Sequence, residues 1–311
     1  MKKLIYRNNR ISVKYHYLRQ SPLGLLVNNL KLFPNRKLLL KNYLKGHFMG
    51  MYSLLKKTKE CFKSVILFFQ VVIFCPPLKS VAIEINSACN RKCPFCPNMS
   101  HHRDPEFLQE ELVNKVIGEL KKMKFKGELC FHLYNEPLLD IRLPKFIAYA
   151  RKCLPLAYIY INTNGDLLNL SMWENLRKQG LDFALVTQYD GKVSDNILNI
   201  LDHLQEAEKK HFCCRIFTPE TANNRAGLVN KSIPVQLPLN KYCPRPAYQL
   251  CINYRGKAII CCNDYLGLVE TGDIRKDAIE DIWRNKIFRH YRRTLYFGNR
   301  KLLMLCDNCD A

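Results

Sequence analysis

The first eighty residues contain almost no acid: one glutamate, Glu60, stands against sixteen lysines and arginines. That region carries most of the formal net charge of +22. The imbalance points to an anionic substrate or an anionic membrane face as its partner. No nucleic-acid-binding module is visible, so nucleic acid is not the expected partner. Long hydrophobic runs are missing too. The most apolar stretch, "VILFFQVVIFC" (65–75), has eleven residues. As a helix it would reach only ~16 Å, too short for a bilayer core. It is expected to be a buried helix or strand closing one edge of the main domain. The alternative is a helix lying in a membrane interface between basic flanks. No cleavable secretory signal is apparent, so the chain is expected to be cytoplasmic, with peripheral membrane attachment as the extension. The 15 cysteines are too few for a disulfide scaffold over 311 residues. They cluster near residue 90 and after residue 243, which points to metal ligation.

What is present is a regular alternation. "KSVAIEI" places Val81, Ile83 and Ile85 on one face of a strand. "DPEFLQEELVNKVIGELKKM" reads as a helix, with Asp104 as its cap, Pro105 in its first turn, and a stripe of Leu108, Leu112, Val116 and Leu120. Further strands are expected in "GELCFHLYNEPLL", "AYIYINTNG", "LDFALVTQYDG" and "FCCRIFT", with helical segments between them. Strands alternating with helices argue for βαβ units and a parallel sheet. In such sheets functional residues gather at the C-terminal strand ends. The segment after the first strand, "YNEP", "NTNG" and "TQYD" all fall there. After about residue 235 the pattern changes to short strands and turns in a cysteine-rich tail, for which a metal could supply folding energy. Three regions are therefore expected: a basic extension over 1–78, a core over 79–235, and a cysteine-rich domain over 236–311.

"CNRKCPFC" sets Cys89, Cys93 and Cys96 at gaps of three and two residues. Three thiols on one loop suit an iron–sulfur cluster with one iron left open. They also suit zinc with a distant fourth ligand, or unligated structural thiols. The motif, with Phe95 at its aromatic position, resembles the signature of the radical SAM enzymes, and the resemblance runs over roughly residues 80–230. It implies a partial (β/α)6 TIM-like barrel in an α/β fold. It also implies a 4Fe–4S cluster on Cys89, Cys93 and Cys96, whose open iron binds S-adenosylmethionine (SAM). Cleavage of SAM then yields a 5′-deoxyadenosyl radical that abstracts a substrate hydrogen. A reductant such as flavodoxin or ferredoxin is the implied partner. "YNEP" stands where the family usually has Gly-Gly-Glu-Pro. Glu136 and Pro137 are kept, while Tyr134 and Asn135 replace the glycines. By the same resemblance Glu136 meets the methionyl amine, Phe95 lies near the adenine, and Asn164 and Gln188 belong to the cofactor site, with Thr187 as the alternative to Gln188.

The tail resembles the SPASM/twitch domains of that family. "RGKAIIC" is similar to their Gly-x4-Cys, and Cys243 is followed after 17 residues by Cys261, then by the pair in "CDNC". The set is closest to a one-cluster twitch domain, as in the 2-deoxy-scyllo-inosamine dehydrogenase branch. It implies an auxiliary 4Fe–4S cluster on Cys243, Cys261, Cys306 and Cys309. Cys262 and Cys251 compete for two of these positions, and a structural zinc site is the other reading. Four thiolates leave no open iron, so electron transfer is the implied role. Arg225, in "TPETANNRAG", is the candidate to bind or orient a substrate hydroxyl, with Arg215 and Glu220 as alternatives. The expected reaction is oxidation of a sugar or aminocyclitol alcohol. Radical modification of a ribosomally made peptide is the second reading, and a non-enzymatic, metal-stabilised binding protein the third.

Overall fold

The computed structural model describes residues 66–219, 222–230 and 236–311, and the residues from Leu67 onward form one compact unit. Most of the expected extension over 1–78 lies outside the described residues. Among the described residues eight strands make one sheet: β1 (Ser80–Ile83), β2 (Glu128–Cys130), β3 (Tyr158–Thr163), β4 (Phe183–Gln188), β5 (Phe212–Ile216), β6 (Gln249–Ile252), β7 (Lys257–Ile259) and β8 (Glu270–Asp273). Their spatial order is β5-β4-β3-β2-β1-β6-β7-β8. Pairing is parallel from β5 to β6 and antiparallel from β6 to β8. The fold is the expected α/β partial-barrel sheet with a cysteine-rich C-terminal region. Its sixth parallel strand comes from that C-terminal region and joins the free side of β1.

The helices α1 (Glu110–Lys122), α2 (Leu143–Cys153), α3 (Leu170–Lys178) and α4 (Asp195–His203) connect the parallel strands, and α5 (Ile279–Arg284) and α6 (Lys286–Tyr296) follow β8. Each of the first four buries one apolar face; for α1 this is Val113, Val116, Ile117 and Leu120. These pack on one face of the sheet with Val81, Ile83, Leu129, Ile159, Ile161, Ala184 and Val186 in a single core. β1 is buried along its whole length, as parallel strands covered on both faces are. Gly127 enters β2 because the chain passes so close to β1 that a Cβ would lie 2.2 Å from the Lys79 carbonyl oxygen.

The start of α1 differs from expectation. The helix begins at Glu110 after Gln109, and Asp104 does not cap it. Residues 104–108 instead lie along the chain leaving β1. Leu108 N donates to Ile85 O at 2.8 Å, Ser87 N to Glu106 O at 2.9 Å, and Ser87 Oγ to Asp104 O at 2.6 Å. Pairing with this chain takes precedence over the local capping signal. The apolar stretch at 65–75 is partly buried, through Val71 and Val72 in a π-helical turn at Phe69–Ile73 that packs on α6. Among the described residues no helix is long and apolar enough to cross a membrane.

Candidate active site

The loop after β1 carries Cys89, Cys93 and Cys96, all free and half-buried. Asn86 fixes its base: Oδ1 accepts from Ala88 N at 2.9 Å, and Nδ2 donates to Glu136 O at 3.4 Å. Glu136 N returns a bond to Ala88 O at 2.9 Å. The cysteine loop and "YNEP" are thus joined through backbone. Burial pushes all three thiols up, Cys93 to about 11, where the neighbouring Cys96 and Cys89 add to the cost of a second negative charge. A cationic iron centre removes that cost, so the donor set fits such a group.

Glu136, Asn164 and Gln188 meet at the strand ends in one network. Glu136 Oε1 accepts from Thr163 Oγ1 at 2.7 Å and Leu138 N at 3.1 Å, and Oε2 accepts from Asn164 N at 2.9 Å. Asn164 Nδ2 donates to Asn90 Oδ1 at 2.8 Å, and Oδ1 accepts from Asp166 N at 2.9 Å. Gln188 Nε2 donates to Asn164 O at 2.9 Å, while Oε1 accepts from Ser194 N at 2.7 Å. The two amides therefore brace three strand-end loops, and Asn164 reaches the cysteine loop itself. Gly165 turns between them at φ +82, where a Cβ would press on Val186. Thr187 Oγ1 accepts from Arg215 Nε at 3.1 Å. Arg91 closes the outside, bonding Asp166 at 2.6 Å and Asp190 at 2.7 Å. Phe95 stacks on Phe217 (3.8 Å between centroids) and on Tyr189 (5.2 Å), an aromatic wall at the ends of β4 and β5.

Arg225 lies in a strained turn: Arg225 and Ala226 have φ +48 and +55. Asn224 pins the turn to the C-terminus, with N donating to Asp310 Oδ1 at 2.8 Å and Nδ2 to Asn308 O at 2.7 Å. The Arg225 guanidinium sits over the Tyr134 ring at 5.6 Å. Arg225 Nε and the Tyr134 hydroxyl are both buried, and neither finds a hydrogen-bond partner among the described residues. Burial holds the Tyr134 phenol well above its usual range, and Arg225, Cys262, Cys261 and Cys96 are the charges it senses. The pair is tied to the cysteine loop, where Asn98 Nδ2 donates to Tyr134 O at 2.9 Å, and through Asn224 to the segment that carries Cys306 and Cys309. Glu220 is outside the described residues.

Tyr134 also belongs to a second cluster that sequence reasoning missed. Arg103 Nη1 meets the buried Glu84 Oε1 at 2.8 Å, and Nη2 donates to Tyr265 O. Its guanidinium stacks on Tyr265 at 3.6 Å, with Tyr254 at 5.2 Å and Tyr134 at 5.7 Å. Glu84 Oε1 also accepts from Tyr134 N at 3.1 Å. Neither Glu84 nor Arg103 sits in a motif. Only the parallel register of β1 with β6 brings Tyr254 and Tyr265 to them.

In the C-terminal region Cys243, Cys261, Cys306 and Cys309 line one small cavity. Pro246, Ile260, Leu295 and Leu305 form its apolar walls, and Arg245 and Arg300 enter it. Arg245 Nη1 is buried with no partner among the described residues, and the neighbouring thiols of Cys262, Cys261 and Cys243 raise the Arg245 pKa. A cation with an unmet N–H in this cavity suits a group of net negative charge. Among the described residues no three His, Cys, Asp or Glu side chains converge as a single metal ion would need. Cys251 and Cys262 lie elsewhere: they pack with Ala82, Cys130, Ile259, Leu133 and Tyr160 on the other face of the sheet.

His132 lies beside this second group, edge-on to Tyr160 at 5.6 Å, and its Nδ1 accepts from Asn162 N at 3.1 Å. The ring therefore carries its proton on Nε2. Burial lowers its pKa to about 4. The unfolded chain takes up a proton near pH 6.5 that the folded chain refuses until about pH 4. The His132 contribution is therefore complete above pH 6.5 and is lost as pH falls through 4, a change of about 3 kcal/mol. Denaturant unfolding from pH 7 to 4 should show this slope in the wild type and a smaller one in His132→Gln. Parallel curves would remove His132 as its source.

Comparison with known proteins bears on the whole arrangement. Residues 83–192 match the radical SAM superfamily, and residues 243–310 match SPASM, an iron–sulfur cluster-binding domain. The chain is 30% identical over 231 residues to the S-adenosyl-L-methionine-dependent 2-deoxy-scyllo-inosamine dehydrogenase of Niallia circulans, an alignment covering 74% of this chain and 92% of that protein. The crystal structure of BtrN in complex with AdoMet and 2-DOIA superposes with a TM-score of 0.71 at 29% identity, covering 76% of this chain and 95% of that one. BtrN in an open conformation gives 0.60 at 26% identity, covering 76% and 93%. The strand-end network, the three-cysteine loop and the four-thiol cavity thus sit in a chain that belongs to the radical SAM superfamily, an enzyme with a C-terminal SPASM iron–sulfur domain.

Proposed function

We propose that this enzyme oxidises a secondary alcohol of an aminocyclitol or related sugar to a ketone. The observation that carries the reading is the neighbouring pair of buried, unpartnered groups, Arg225 Nε and the Tyr134 hydroxyl. An N–H donor beside a phenol, which both donates and accepts, is the complement of an alcohol. Leaving them unmet costs free energy that a bound polyol recovers. The likeness to the 2-deoxy-scyllo-inosamine dehydrogenase supports an aminocyclitol or a near relative as the substrate class.

Cys89, Cys93 and Cys96 would hold a 4Fe–4S cluster with one iron left for SAM. Cys243, Cys261, Cys306 and Cys309 would hold a second, a choice over Cys251 and Cys262 supported by the cavity the four share. The first cluster with SAM supplies a 5′-deoxyadenosyl radical, and the second supplies an acceptor for one electron. The alcohol then loses one hydrogen atom, one proton and one electron in all. Glu136 Oε2 holds one N–H and retains a lone pair for the ammonium of SAM. Phe95, with Tyr189 and Phe217, offers a flat face for adenine. Asn164 and Gln188 act by holding the loops in place. Arg225 orients the alcohol, because a guanidinium offers N–H donors and no acceptor and so is a poor base.

The test is anaerobic turnover with SAM, a reductant such as flavodoxin, and aminocyclitols deuterated at the carbinol carbon. Deuterium in 5′-deoxyadenosine together with a ketone product is expected. Deuterium arriving only from a labelled peptide would replace this reading with peptide modification.

A further inference from the structure

We propose that the face formed by the π-helical turn at Phe69–Ile73 and helix α6 docks on an anionic lipid surface. The turn buries Val71 and Val72 but leaves Phe69, Ile73 and the following Phe74 exposed, Phe74 at 66%. Their rings continue into α6. Phe69 stacks on Phe74 at 6.4 Å, Phe68 meets Phe69 at 5.8 Å and Tyr296 at 5.7 Å, and Tyr296 meets Phe297 at 5.3 Å. Phe297 is itself 61% exposed. The same helix presents Lys286, Arg289, His290 and Arg293 to solvent and contains no acid. Arg293 Nε donates to Val72 O at 2.8 Å, which ties the cationic side of α6 to the apolar turn.

Exposed rings and aliphatic side chains beside cations match the boundary between acyl chains and anionic headgroups. The aliphatic member Ile73 suits hydrocarbon better than nucleic-acid bases, and the rings are already packed on one another. A second copy of the chain would bring α6 against α6, like charge against like charge. No span is required, since a surface contact needs only one apolar face and nearby cations.

The full-length holoenzyme is sedimented with vesicles of phosphatidylcholine, with and without phosphatidylglycerol. Binding is expected only to the phosphatidylglycerol vesicles, and it should weaken as salt rises. Lys286→Gln with Arg289→Gln should weaken partition about 25-fold, roughly fivefold for each charge. Phe69→Ser with Phe74→Ser should abolish it. SAM cleavage in vesicle-free buffer, unchanged in both variants, reports that they fold. Equal binding to neutral vesicles, or unchanged partition in both variants, overturns the proposal. So does a loss of self-association in the phenylalanine variant with no change in lipid binding.

Discussion

Replacing Cys306 and Cys309 with alanine is expected to uncouple SAM cleavage from substrate oxidation. Iron should fall from roughly eight to roughly four atoms per chain. 5′-Deoxyadenosine should still form, while ketone falls to background. Cys306 and Cys309 line the C-terminal cavity with Cys243 and Cys261, whereas Cys89, Cys93 and Cys96 belong to the loop after β1. The proposed substrate pair, Tyr134 and Arg225, is tied to both: Tyr134 O accepts from Asn98 Nδ2 at 2.9 Å beside the first loop, and Asn224 joins the Arg225 turn to Asn308 and Asp310. In the proposed reaction a substrate that has lost a hydrogen atom needs an electron acceptor, and the variant removes thiols proposed to hold it. The risk to folding is specific. Asn224 binds Asn308 and Asp310, so loss of the tail could release the Arg225 turn. Circular dichroism and SAM binding separate that outcome. With both retained, a variant that keeps eight irons, or keeps making ketone, shows that these thiols do not hold the acceptor.

The sequence made the order of strands and helices legible because the signals are local. Val81, Ile83 and Ile85 alternate in apolar character, and α2 and α3 repeat at helical spacing. Strand-end placement followed from topology and covers "YNEP", "NTNG" and "TQYD", whereas Glu136, Asn164 and Gln188 within them were legible only through the family resemblance. Their partners were not legible. That Asn164 holds Asn90, and that both Gln188 amide atoms are engaged, depends on three loops meeting. The pairing of β1 with β6 spans some 170 residues of sequence, and no periodicity reports it. Its consequence, the Tyr254 and Tyr265 walls around Arg103, was hidden for the same reason. Asp104 shows the opposite error: a local signal of sound form gave way to pairing with the chain leaving β1. The four-thiol cavity was reached through resemblance, since six cysteines in that tail admit several ligand sets by spacing alone.

Removing the charge of Arg103 is expected to cost as much stability as emptying a core position. Glu84 is buried at the C-terminal end of β1. Burial pushes its carboxyl up, opposed by the Arg103 guanidinium and by the Tyr134 and Tyr254 N–H groups. Arg103→Met leaves that carboxylate without its cation at a cost of about 3–5 kcal/mol. For a domain of this size that lowers the apparent unfolding temperature by roughly 6–20 °C at a fixed scan rate. Glu84→Gln should cost less, because the Arg103 guanidinium keeps the Tyr265 carbonyl and the tyrosine faces. The double variant should be more stable than the sum of the two losses predicts, as a coupled pair requires. Strict additivity in that cycle would mean that Glu84 and Arg103 act separately. The cluster also joins the chain after the cysteine loop, the "YNEP" loop and the C-terminal region, with Tyr265 Oη donating to His101 O at 2.8 Å. Arg103→Met should therefore weaken SAM binding together with stability, whereas an equally destabilising core change such as Ile147→Ala should lower stability alone. Equal SAM affinity in the two variants would confine Arg103 to a structural role.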